Sequence, residues 1–183
     1  MEQISALDDC VLIKPDESHA REIESYRTAF LALGDSIDGA GPLQRMEHAA
    51  EWLQFNRDAE DPLKKPANWV VSEQFTYLRK SDGRIVGMIH FRHEFNDFLR
   101  DFGGHIGYGV RPDERRKGYA TRMLKECLGV CKAFGLERVL VTCIEGNEGS
   151  KRTILANGGV YKKTVFCARD GVTLERYWIL LLR

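Results

Sequence analysis

Val110-Arg111-Pro112-Asp113-Glu114-Arg115-Arg116-Lys117-Gly118-Tyr119-Ala120-Thr121 is the stretch on which the reading of this chain turns. C-terminal to it, Ala120, Met123, Leu124, Cys127, Leu128, Cys131 and Phe134 recur at offsets of three and four, the period of a helix with one buried face. This predicts a helix over 117–134, stopped by Gly135. N-terminal to it, Gly104 to Val110 reads as a strand closed by Pro112. A strand that enters a helix through a short loop leaves the first-turn N–H groups without intrahelical partners. Those donors and the positive end of the helix dipole favour an anion, and a glycine lets a phosphate approach the backbone. Arg115, Arg116 and Lys117 add positive charge, so a pyrophosphate is expected here. Taken bare, the same loop also reads as a solvated turn that starts a helix.

Outward from this junction, Val139 to Ile144 is the near-continuous apolar run of a strand buried on both faces. A short helix follows over 149–156, ending at Gly158-Gly159, and two strands joined by Arg169-Asp170-Gly171 finish the chain. Upstream, Cys10 to Ile13 reads as a strand, 18–33 as a helix with Ser18 as N-cap and Gly34 as stop, and Pro42 to Phe55 as a second helix. The stretch 57–68, with Pro62 and Pro66, reads as an irregular loop. Phe75 to Arg79 and Ile85 to Phe91 form a hairpin around Ser81-Asp82-Gly83, and Glu94 to Phe102 is a connection. The order implies an α/β mixed sheet with helices on its faces.

The chain has 183 residues, which suits one domain. Lys+Arg and Asp+Glu both number 27, so no broad basic field exists to hold a nucleic acid. The five cysteines include no Cys-x-x-Cys pair, which argues against a disulfide framework or a zinc site; Cys127 and Cys131 fit core packing on the helix face. His90 and His93, three apart on a strand, point to opposite faces and suggest no metal. The acidic N-terminal segment lacks a secretory pattern, and the apolar run 178–182 is too short to cross a bilayer, so no membrane association and a cytoplasmic location are expected.

Neither a Gly-x-x-x-x-Gly-Lys-Ser/Thr loop nor a full dinucleotide fingerprint is present, since Gly107-x-Gly109 lacks the third glycine. Arg115-x-x-Gly118-x-Ala120 instead resembles the Gln/Arg-x-x-Gly-x-Gly/Ala pyrophosphate loop of the GNAT superfamily of N-acetyltransferases. The order of elements is similar too. The resemblance implies a single domain over 8–183, with an acceptor-side half over 8–102 and an acetyl-CoA-binding half over 103–183. It implies a mostly antiparallel sheet, splayed where the Tyr108-Gly109-Val110 strand leaves the 139–144 strand, so that the pantetheine arm bonds the exposed backbone. Acetyl-CoA would be the co-substrate, with no metal, and a small-molecule or peptide amine the acceptor. A homodimer is common among enzymes the chain resembles.

By the same resemblance, the cofactor site comprises Tyr108, Gly109 and Val110, the loop Arg115, Arg116, Lys117, Gly118, Tyr119, Ala120 and Thr121, and Asn147 and Ser150 downstream. Asn147 would bond the pantetheine amides, and Ser150 would meet the pyrophosphate or cap its helix. The implied reaction is direct attack of a neutral amine on the thioester, with a backbone N–H near Gly109 or Val110 on the oxyanion. His105, at the head of the strand leading into the loop, is the candidate base, its unperturbed pKa of ~6.5 suiting the task. The family's usual tyrosine position is Ile154 here, so Tyr161 on the next strand is the candidate acid; Cys143 and Glu145 are further polar candidates. Two rival readings stand beside the enzyme: a non-catalytic acyl-CoA-binding regulatory module, and a nucleic-acid module using Arg111, Arg115, Arg116 and Lys117.

Overall fold

The computed structural model describes residues 9–181. The expected domain ends at Asp8, Leu182 and Arg183 lie outside the described residues. The described residues form seven strands, β1 (Cys10–Ile13), β2 (Ser72–Arg79), β3 (Arg84–Arg92), β4 (Ile106–Val110), β5 (Arg138–Ile144), β6 (Gly159–Cys167) and β7 (Val172–Leu180). Four α-helices accompany them: α1 (Ala20–Leu31), α2 (Ala49–Glu60), α3 (Tyr119–Phe134) and α4 (Glu148–Ala156). The sheet order is β1-β2-β3-β4-β5-β7-β6, and every pairing is antiparallel except β4 with β5.

Two hydrophobic clusters sandwich the sheet. α3 buries Tyr119, Met123, Leu124, Cys127, Leu128 and Cys131 against Phe75, Val86, Ile89, Phe91, Val139 and Val141 on one face. Both Cys127 and Cys131 are thus core residues. On the other face α1 and α2 bury Ile23, Tyr26, Phe30, Trp52 and Leu53 against Ile85 and Met88. β3 therefore faces protein on both sides, and its change of phase between Ile85 and Met88 coincides with the register shift at Tyr77/Leu78 of its partner.

The N-terminal half departs from expectation in detail. Asp16, not Ser18, caps the first helical turn, its carboxylate accepting the Ser18 N–H at 2.9 Å. The helix expected over 42–55 divides into a short 3-10 turn, Gly41–Arg45, and α2, because Met46 is extended at φ −101, ψ 131. α2 then continues to Glu60, consuming part of the expected loop, since Arg57 to Glu60 contains no breaker before Pro62 and Ala59 is buried. The connection ahead of β4 carries one wide turn, Leu99–Gly103.

The parallel contact positions everything that follows. β4 and β5 share a single register pair, Ile106 with Val141. Just before it, His105 N–H donates to Leu140 C=O at 2.8 Å, and Leu140 N–H donates to His105 Nδ1 at 2.9 Å. Beyond it the strands part.

Candidate active site

Strand alternation decides what the parting exposes. Arg92 N–H donates to His105 C=O and Arg111 N–H to Val86 C=O, so odd-numbered residues of β4 aim their backbone groups at β3. The backbone groups of Tyr108 and Val110 consequently aim into the gap on the β5 side. Arg115 Nε, reaching back to Val110 C=O at 3.3 Å, agrees with that direction.

The gap opens onto a cleft of about 1370 Å³ lined by the loop 35–39, β4, the start of α3, the end of β5 and the first turns of α4. The loop can lie against β4 only because both segments carry glycine there: a Cβ on Gly39 would stand 2.3 Å from Tyr108 Cα, and one on Gly109 would stand 2.7 Å from Asp38 C=O. At the far end Gly118 caps α3 in the left-handed region, φ 85, and offers no side chain of its own. Arg122 N–H is the first in this turn to find a backbone acceptor, Gly118 C=O. The amides of Lys117, Gly118, Tyr119, Ala120 and Thr121 have none among the described residues, which is what an anion site requires.

The three basic residues divide. Arg115 pairs with Asp35 at 2.8 Å and lies over the Phe30 ring, and Lys117 pairs with Glu114 at 2.8 Å. Glu114 is buried and also holds Arg79 and Arg84. Burial pushes its carboxyl pKa up, but hydrogen bonds from Arg79 and Lys117 outweigh this and hold it below the usual carboxylate value. Arg116, exposed and left-handed at φ 63, has no ion-pair partner among the described residues. Arg152 of α4, which no sequence motif marked, also lines the cleft without one.

Across the gap, Tyr108 Oη hydrogen-bonds Ser150 Oγ at 2.8 Å. Burial raises the Tyr108 pKa above the usual phenol value. Asn147 caps α4, its Oδ1 accepting the Ser150 N–H at 3.1 Å, so Ser150 is not the cap. All the expected cofactor residues except Lys117 line this one cleft.

The expected base and acid do not. His105 is buried between Phe95 and Trp178, and burial together with Arg92 lowers its pKa to about 4. Its Nδ1 is occupied by Leu140 N–H, so it stitches β4 to β5 beneath the gap and is absent from the cleft wall. Tyr161 stands on the outer strand β6, half exposed, bonded to Thr164 and away from the cleft. Cys143 does line the cleft, but burial pushes its thiol up to about 11. The cleft carboxylate that no sequence motif marked is Asp38, on the loop facing β4. The protein around it raises its pKa, an effect opposed by Ser36 and Arg115.

Among the described residues no group of His, Cys, Asp and Glu could hold a metal ion: His90 is buried beside Trp69, and His93 pairs with Glu73. No described helix is long and apolar enough to cross a membrane.

A seven-stranded sheet parted at one parallel pair, with helix-start amides that lack acceptors among the described residues at the open end, is the arrangement the resemblance to acetyl-CoA-dependent transferases implies. Residues 43–158 match the model of the acetyltransferase (GNAT) family, and the chain belongs to that family. It is an acyltransferase, and acetyl-CoA is its co-substrate. No curated protein matches the chain. Among solved structures, the fold is similar to a ribosomal-protein-S5-alanine acetyltransferase from Vibrio fischeri, with TM-score 0.70, 17% identity and coverage of 94% of this chain and 93% of that one. It is similar to a ribosomal L7/L12 alpha-N-protein acetyltransferase in complex with coenzyme A, with TM-score 0.70, 16% identity and 97% of each chain covered. A dodecameric spermidine N-acetyltransferase from Vibrio cholerae aligns at TM-score 0.64, 14% identity and 94% of each chain.

Proposed function

We propose that the chain transfers the acetyl group of acetyl-CoA to a primary amine by direct attack in the β4–β5 cleft. The reading is carried by the gap, whose open end meets helix-start amides with no acceptor among the described residues. The diphosphate would rest on the amides of residues 117–121, flanked by Arg116 and Arg152. The pantetheine amides would pair with the backbone of Tyr108 and Val110 as a strand would, with Asn147 beside them.

The acceptor nitrogen attacks the thioester carbonyl carbon. As the C–N bond forms, the developing oxyanion takes a hydrogen bond from Val110 N–H. The nitrogen loses one proton to Asp38, directly or through a water; the raised pKa of that carboxyl suits a base better than an ordinary aspartate. The C–S bond then breaks. Tyr108 Oη, backed by Ser150, hydrogen-bonds the leaving sulfur, and the thiolate takes its proton from this pair or from solvent. Asp38 and Tyr108 take the roles expected of His105 and Tyr161, because they line the cleft and the expected pair does not.

The test combines calorimetry with acetyl-CoA and release of free thiol across a panel of primary amines. Micromolar or tighter binding with amine-dependent thiol release is expected. Well-folded protein that binds acetyl-CoA yet releases no thiol with any amine would leave the regulatory-module reading in its place.

A further inference from the structure

Of the arginines that line the cleft, Arg92 is unusual in being half-buried with no carboxylate partner. Arg115 has Asp35 and Arg169 has Asp170, while Arg116 and Arg152 are exposed to water. Arg92, at the end of β3, appears in no ion pair among the described residues; its Nη1 donates to two backbone carbonyls, Gly103 at 3.0 Å and Gly104 at 3.3 Å. Its Nη2 has no acceptor among the described residues and lies over Gly107 of β4. A Cβ at that position would stand 3.1 Å from Nη2, so the missing side chain is what lets the guanidinium lie down on the strand beside the cleft. A cation removed from water without an anion is unfavourable, and burial here lowers the arginine pKa to about 10. It remains charged at neutral pH. A fork of donors on a cleft wall, already desolvated and held in place by two carbonyls, is a receptor for a planar oxyanion.

We propose that Arg92 binds a carboxylate of the acceptor, so that the acceptor is an aminocarboxylate and not a simple alkylamine or a polyamine. The inference rests on the acetyl-transfer reading above and adds the substrate class to it. Its geometry is set by β4: the backbone carbonyl of Asp38 lies against Gly109 and the Arg92 guanidinium over Gly107, two residues apart, or roughly 7 Å along a strand. An acceptor that brings its nitrogen to the Asp38 loop and its carboxylate to Arg92 spans about that distance along β4. A second cation in the same place, as in a polyamine, would meet the guanidinium with like charge.

The experiment compares δ-aminovalerate with pentylamine, a pair of equal length that differs in the carboxylate, by thiol release and by calorimetry on protein saturated with coenzyme A. δ-Aminovalerate is expected to show kcat/KM at least about tenfold higher, and to bind where pentylamine does not. Arg92→Gln should abolish that preference by raising KM for δ-aminovalerate while leaving KM for acetyl-CoA unchanged. Arg92→Lys, which keeps the charge without the fork, should fall between and guards against a fold defect in the glutamine variant. Binding of δ-aminovalerate that is lost in Arg92→Gln, with no thiol released by any protein, sustains the carboxylate site and sinks the transferase reading alone. Equal handling of the two amines by the wild-type protein, or a preference that survives in Arg92→Gln, overturns the inference.

Discussion

Replacing Glu114 with glutamine tests whether the cofactor loop is braced from beneath. The Glu114 side chain is 3% exposed; its Oε1 lies 2.9 Å from Arg84 Nη1 and 3.1 Å from Arg79 Nη2, and its Oε2 lies 2.8 Å from Lys117 Nζ. Removing one partner of a buried ion pair is destabilising by about 3–5 kcal/mol. Arg79 keeps Asp82 and Arg84 keeps Asp113, which places Glu114→Gln near the lower end. At about 2–4 °C per kcal/mol for a chain of this size, Tm should fall by about 6–12 °C at neutral pH. The pH dependence supplies a second readout. Because the folded carboxyl is held below its ordinary 4.5, its contribution is present above 4.5 and is lost as pH falls through the lowered value. The Tm gap between wild type and variant should therefore close in acid. Calorimetric melts across pH decide it: a gap under about 2 °C at neutral pH, or one that stays constant well below 4.5, refutes the bracing.

Asp38→Asn should lower kcat by about 10²–10⁴ with KM for acetyl-CoA unchanged. Since the folded protein disfavours ionised Asp38, the same variant should melt slightly higher at neutral pH; steady-state kinetics with kcat within about threefold of wild type would remove Asp38 as base. Gly118→Ala forces a side chain into φ 85, at about 1–2 kcal/mol, and should weaken acetyl-CoA at least tenfold by calorimetry. His105→Asn, whose Oδ1 can stand in for Nδ1 as acceptor of Leu140 N–H, should keep its turnover. With the folded imidazole at about 4 against 6.5 unfolded, the unfolded chain binds the extra proton, so wild-type stability should drop by up to about 3 kcal/mol as pH falls through that window. Urea unfolding of His105→Asn should show a flatter decline, and a hundredfold loss of kcat would restore His105 as base.

The elements built on strong periodicity or length were legible in the sequence. α3 announced itself by its apolar spacing, β5 by an apolar run with protein on both sides, and the helix-start loop by Arg115, Gly118 and Ala120. Legibility ended where tertiary contacts decide. Nothing local distinguishes a helix over 42–55 from a 3-10 turn followed by α2, because the break at Met46 is a backbone choice that no single residue demands. His105 looked like a base because its type and place suit one; its occupied Nδ1 depends on Leu140, thirty-five residues away. Asp38 and Arg92 reach the cleft through close approaches at Gly39, Gly107 and Gly109, and such approaches join segments too distant in sequence for spacing to register.

The lone rung between β4 and β5 has a mechanical corollary. Four strands on one side and three on the other form two leaves of a book bound at Ile106 and Val141, with the His105 ring as the stitch below. A ligand carrying its own amides, slid between the leaves, would act as the page that closes the binding. Occupancy and the stiffness of the two leaves are then one equilibrium, and amide exchange along Tyr108 and Val110 should slow together with that along the start of α3 when the space is filled.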